Sequence, residues 1–111
     1  MDPRAARIGR NEALFREVND RIERVSDALQ ITDERIGILC ECGDPSCTEK
    51  IELSRAEYER VRADPSLFFV RPGHEEPGVE DVVEDHGVYG VIRKKVGAPA
   101  ELAKELDDRR S

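Results

Sequence analysis

The chain of 111 residues has no tryptophan, only 5% aromatic and 38% hydrophobic residues, and 39% charged ones. A second independent core does not fit in this length, and even one core is lean. Small domains so short of apolar surface lean on a disulfide, a metal or a partner subunit to offset chain entropy. Long apolar runs are missing too. Nothing approaches the roughly 20 residues of a membrane span, and Met1-Asp2-Pro3-Arg4 leads into no apolar stretch of the signal-peptide kind. The expectation is a cytoplasmic protein with no membrane contact.

A surplus of basic charge is also absent. The formal net charge is −7, and nucleic-acid binding draws most of its affinity from Lys and Arg on phosphates. Arg93, Lys94 and Lys95 form one short basic patch. A direct, high-affinity nucleic-acid ligand is therefore disfavoured, and another protein is the expected partner. Acidic residues concentrate at Glu75, Glu76, Glu80, Asp81, Glu84 and Asp85. Such a run is first a solvated edge and only then a docking surface for a basic partner.

What is present begins with helical periodicity. Apolar residues at Leu14, Phe15, Val18, Ile22, Val25 and Leu29 predict a helix from about Asn11, its N-cap, to about Leu29. Glu12 with Arg16 and Glu17 with Arg21 stand at four-residue spacing and would support its exposed side. The seam Phe15, Val18, Ile22, Val25, Leu29 approaches a coiled-coil pattern. It either lies on the helix's own domain or serves a partner, including a second copy in a homodimer.

Ile36 to Cys40 and Ile51 to Leu53 read as the strands of a hairpin whose tip holds the turn formers Gly43, Asp44, Pro45 and Ser46. Ser54-Arg55-Ala56-Glu57 is a capping box that starts a second helix, with Leu53 and Tyr58 placed as a hydrophobic staple. Pro65 ends that helix near Ala63. Leu67 to Val70 reads as a central strand. Val79 to Glu84 and Val88 to Val96 flank the turn Asp85-His86-Gly87 as a second hairpin, although Val79, Val82 and Val83 would also suit a helical turn. Ala100 to Arg110 suits a short helix around Leu102 and Leu106. The fold class is α+β: a long N-terminal amphipathic helix over residues 1–31, a small antiparallel sheet with a metal-stapled hairpin and one capped helix within 32–97, and a tail or short helix over 98–111.

Three cysteines cluster at Cys40, Cys42 and Cys47. In a reducing compartment such a cluster points to metal rather than to a disulfide, and an odd count suits a mixed Cys/His set. Structural zinc takes four N or S donors in a tetrahedron. Cys40 and Cys42, two apart on a strand, share a face, and the turn can bring Cys47 back toward them. Gly43 would let amides approach the sulfurs. His74, presented by Pro72-Gly73, is the preferred fourth ligand, with His86 the competitor and Asp44 or Glu49 as less usual oxygen donors. Other chemistries are weaker: plainly buried cysteines without metal, a thiol nucleophile exposed to disulfide exchange with its neighbours, or a catalytic zinc with Glu75 as base, which three thiolates would make a poor Lewis acid.

The segments RNEALFREVNDRI, CECGDPSCTEKIELSRAEYERVR, FFVRPGHE and VEDVVEDHGVYGVIRKK together resemble a small bacterial family of uncharacterised zinc-binding proteins, over roughly residues 10–97. The resemblance implies a metal site at Cys40-x-Cys42-Gly43, Cys47 and Pro72-Gly73-His74-Glu75, and implies no substrate. The expected function is that of a non-enzymatic, zinc finger-like interaction module, a regulatory adapter. The alternatives are a redox-responsive zinc-thiolate regulator or a component of the transcription or translation machinery that uses the patch Arg93 to Lys95.

Overall fold

The computed structural model describes residues 3–28, 35–42, 44, 46–47, 49–76, 78–95 and 98–107. In chain order these form α1 Pro3–Ala28, β1 Arg35–Leu39, β2 Lys50–Ser54, α2 Arg55–Arg62, β3 Leu67–Val70, β4 Glu80–Asp85, β5 Gly90–Lys94 and α3 Ala98–Glu105. The fold is α+β, with two small antiparallel sheets where one was expected. β1 and β2 form a hairpin in the register Ile36 to Leu53 and Ile38 to Ile51. The other sheet has the order β3-β5-β4.

Local chemistry accounts for most of these elements. In the first hairpin the alternation of buried Ile36, Ile38, Ile51 and Leu53 with exposed neighbours turns one face inward. Ser54 caps α2 by accepting from the Glu57 amide (3.1 Å). The Glu57 carboxylate, expected to reach back to Ser54, instead takes Arg60 and the Tyr89 hydroxyl. Of the expected segment Val79 to Glu84, Val79 lies in a turn and the strand runs Glu80–Asp85, because β5 supplies a ladder that no isolated helical turn would have; a bulge lies between Val82 and Glu84. β3 is an edge of its sheet, not the centre, which is β5.

The core lies between the two sheets and α2. Ile38, Ile51, Tyr58, Val61, Phe68, Phe69, Val91 and Ile92 are its innermost residues. Tyr58 stacks on Phe69 with centroids 5.6 Å apart, and Tyr89 meets Phe69 edge-on.

The helix α1 departs most from expectation. It starts at Pro3, so Asn11 lies inside it and is no N-cap; the good helix formers Arg7, Arg10 and Ala6 carry it further back. Its buried face is polar: Glu12, Arg16, Asn19 and Asp20 are each 0% exposed. Glu12 and Arg16, expected outside, are therefore inside. Glu12 meets the Lys94 ammonium, which also binds Glu80. Arg16 donates to the Pro65 and Ala103 carbonyls (2.6 and 2.7 Å) and lies over the Phe68 ring. Asp20 accepts from Arg62 (2.8 Å) and from the Tyr58 hydroxyl (2.6 Å). Glu17 and Arg21 do pair on the exposed side (2.8 Å). Phe15, Val18 and Ile22 are half-buried and Val25 is exposed, while Leu29 lies outside the described residues.

The helix α3 packs against α1 and ends at Glu105. The last residues of the expected C-terminal helix, 108–110, lie outside the described set. Among the described residues, no helix is long and apolar enough to cross a membrane.

Candidate metal centre

The site forms where the tip of the first hairpin meets the turn leaving β3. Cys40 continues the hairpin, its amide donating to the Glu49 carbonyl (2.9 Å). Alternation then places Cys40 and Cys42 on one side of the chain and Glu41 on the other. A turn closed by the Cys47 amide on the Asp44 carbonyl (3.0 Å) returns the third thiol to the first two. The Asp44 carboxylate stabilises this turn by accepting from the Ser46 amide and hydroxyl; those bonds hold its carboxyl below the usual range.

Opposite the thiols, Arg71-Pro72-Gly73-His74 is a turn closed by the His74 amide on the Arg71 carbonyl (3.0 Å). Proline fits its second position, and Gly73 at φ 82° supplies the left-handed third. A Cβ on Gly73 would meet nothing within 4 Å, so the glycine is there for its backbone angle.

The ligand atoms of Cys40, Cys42, Cys47 and His74 lie within 4.8 Å of one another, close enough to hold a metal ion. The imidazole Nδ1 is 3.6 Å from both the Cys40 and Cys47 sulfurs. The Arg71 amide donates to the Cys40 sulfur (3.2 Å), and the Asp44 amide does the same for Cys42. Gly43, expected to bring an amide to the sulfurs, lies outside the described residues. Burial pushes the Cys40 and Cys42 thiols up, with neighbouring thiols adding to the push and those amides opposing it. The buried Cys40 and Cys42 thus need a cation beside them to persist as thiolates.

Glu41, which no sequence pattern singled out, locks the site to the rest of the molecule. Its amide donates to the Phe69 carbonyl (2.7 Å), and its carboxylate accepts from the Phe69 amide (2.9 Å) and the Asn19 side chain (2.8 Å). Burial raises its carboxyl to about 7 against those donors. Asn19 also holds Leu39 by both backbone groups, donating at 2.9 Å and accepting at 2.8 Å. So α1, the cysteine hairpin and the free edge of β3 are tied together directly behind the thiols. A glutamate between two cysteines was the available signal, since alternation turns it inward whenever they share the other face.

The other candidates go elsewhere. His86 stacks on Tyr89 (4.7 Å between centroids) and meets Glu84 at 2.8 Å. Glu57, Glu84 and His86 are themselves close enough to hold an ion. The Arg60 guanidinium already bridges both carboxylates at 2.6 Å and pushes Glu84 down to about 2. Glu49 lies 3.3 Å from Arg71. Each member of the basic patch has an acidic partner in the chain: Lys94 is buried with Glu12 and Glu80, while Arg93 with Asp64 and Lys95 with Asp81 pair at the surface. No protein-family model, curated protein or solved structure matches the chain.

Proposed function

We propose that the chain is a zinc-stabilised, non-enzymatic interaction module in which Cys40, Cys42, Cys47 and His74 bind one structural zinc. The observation that carries this reading is the convergence of three thiols and one imidazole within 4.8 Å. Zinc bonds of about 2.3 Å to sulfur and about 2.0–2.1 Å to nitrogen set sulfur and nitrogen roughly 3.5 Å apart around a tetrahedron. The two separations of 3.6 Å fit that edge. Soft thiolates favour zinc over the hard cations, and a complete set of four leaves no open position for a substrate. The ion would join the first hairpin to the turn after β3, two parts of a lean core.

Elemental analysis of the purified chain should find one zinc per molecule, and a strong chelator should lower its melting temperature. Cys42→Ser and His74→Ala should each lose the metal. A metal-free chain that melts cooperatively and ignores chelator would sink the site; turnover dependent on the bound metal would sink the non-enzymatic reading.

A second reading, a redox-responsive regulator, is favoured by one feature: Cys47 is half-buried whereas Cys40 and Cys42 are buried. Peroxide would convert the Cys47 thiolate to a sulfenic acid with loss of hydroxide. A second thiolate would then displace another hydroxide to form a disulfide and release zinc. Zinc release with loss of two thiols per peroxide is the expected signature. Retention of zinc at modest peroxide would set this reading aside.

A further inference from the structure

The helix α1 presents two dissimilar faces. The one against the domain is charged and paired with buried groups of the domain, as described above. About 110° round the helix, counting about 100° per residue, runs the seam Ile8, Phe15, Val18, Ile22, Val25, spaced seven, three, four and three, of which all but Val25 are half-buried. None of these residues belongs to the core cluster. Val25 is 57% exposed; beside the seam Leu14 is 56% exposed, sharing with Leu106 of the α3 end (42%) an apolar notch flanked by Arg10 and Glu17.

Charge is sorted in the same way. The acids Glu12, Asp20 and Glu23 are turned inward. The bases Arg7, Arg10, Arg21 and Arg24 are exposed along one flank of the seam, with Glu17, paired with Arg21, the acid on that side among the described residues. In a chain of net charge −7, this is an apolar seam with a basic rim.

We infer that this face of α1 docks an acidic amphipathic helix of another protein. The inference rests on the interaction-module reading and names its partner class. A seam with coiled-coil spacing takes the apolar stripe of one helix, and the arginine rim pairs with carboxylates flanking that stripe. Self-docking would bring two arginine rims together. Against a membrane, the seam is narrower than the broad apolar face of a helix lying in lipid.

The test uses the zinc-loaded full chain and two synthetic peptides of about three heptads, with leucine at the seam positions. One peptide carries glutamate on the flanks and the other lysine. The glutamate peptide should bind about tenfold more tightly at low salt, with the margin shrinking as salt screens the rim. Phe15→Ser with Ile22→Ser should abolish binding while zinc content and helicity stay unchanged. Arg7→Glu with Arg10→Glu and Arg21→Glu should reverse the preference. Equal binding of both peptides, binding of neither, seam-dependent dimerisation in sedimentation, or seam-dependent binding only to phosphatidylserine vesicles would each overturn the proposal. Zinc measured on the same samples separates the readings: a zinc-loaded chain indifferent to both peptides loses the partner and keeps the module.

Discussion

At the scale of single residues, two positions carry more than their size suggests. Gly73 holds φ 82° in the turn that presents His74, with open space where a side chain would go. Alanine there meets no clash but costs about 1–2 kcal/mol of left-handed strain. That strain falls on the metal-loaded state, where His74 pins the turn. Gly73→Ala should therefore weaken zinc binding about tenfold, and Gly73→Asn should lose less, because asparagine tolerates this angle. Competition with a chromophoric chelator reads the difference; equal losses would mean the backbone angle is not the cause. The second position is Glu80, buried beside Lys94 and Glu12. Burial pushes its carboxyl up to about 7, with Glu76 and Glu75 adding to the push. Between its ordinary value of 4.5 and about 7 the folded chain holds the extra proton. Its contribution to stability is thus present at the acid end and is lost as pH rises through about 7. Glu80→Gln, neutral at every pH, should gain in melting temperature relative to wild type from about pH 5 to about pH 8. Comparing the two proteins at each pH cancels acid loss of metal, and parallel profiles would refute the assignment.

At the scale of elements, α1 separates what was legible in the sequence from what was not. The hairpin strands, the Ser54 cap, the Pro72-Gly73 turn and the paired cysteines rest on signals a few residues long, which is why they could be read. The facing of α1 rests on partners far along the chain: Asp20 meets Arg62 across 42 residues, Glu12 meets Lys94 across 82, and Arg16 meets Ala103 across 87. Hydrophobic periodicity marks an apolar seam but cannot say that a charged face will find buried partners. The inward role of Glu41 was hidden for the same reason, since it needs Asn19 and Phe69 in place. The consequence is testable by substitution on the two faces. Val25→Ser and Leu14→Gln, on the outward side, should change stability by no more than about 1 kcal/mol. Asp20→Ala takes from the buried Arg62 guanidinium one of its two carboxylate partners, the other being Asp107, and should cost about 2–3 kcal/mol. Denaturant titration of the variants would expose a mistaken orientation if the outward substitutions proved the costlier.

At the scale of the whole molecule, the metal site and the buried polar ties act on one junction. Among the described residues, the first hairpin and the β3-β5-β4 sheet share no ladder. Besides the common core and the half-exposed pair of Glu49 with Arg71, they are joined by Glu41 on Phe69 and by the cluster Cys40, Cys42, Cys47 and His74. Removing zinc leaves the first tie and loosens the second, so the loss should be regional before it is global. Hydrogen exchange after chelation should rise at 40–47 and 71–74, while β4 and β5, whose ladder does not involve the ligands, keep their protection. The melting temperature should nevertheless fall by about 10 °C or more, since each 1 kcal/mol is worth about 4–8 °C in a domain of this size and metal binding contributes several. Glu41→Leu provides the complementary lesion. It removes the carboxylate that accepts from the Phe69 amide without touching a ligand, so it should lower stability with zinc still bound. Combining it with chelation should cost more than the sum of the two, because each tie alone still holds the hairpin to the sheet and the pair together do not. Simple additivity in that double perturbation would mean that the zinc and Glu41 hold separate regions rather than one junction.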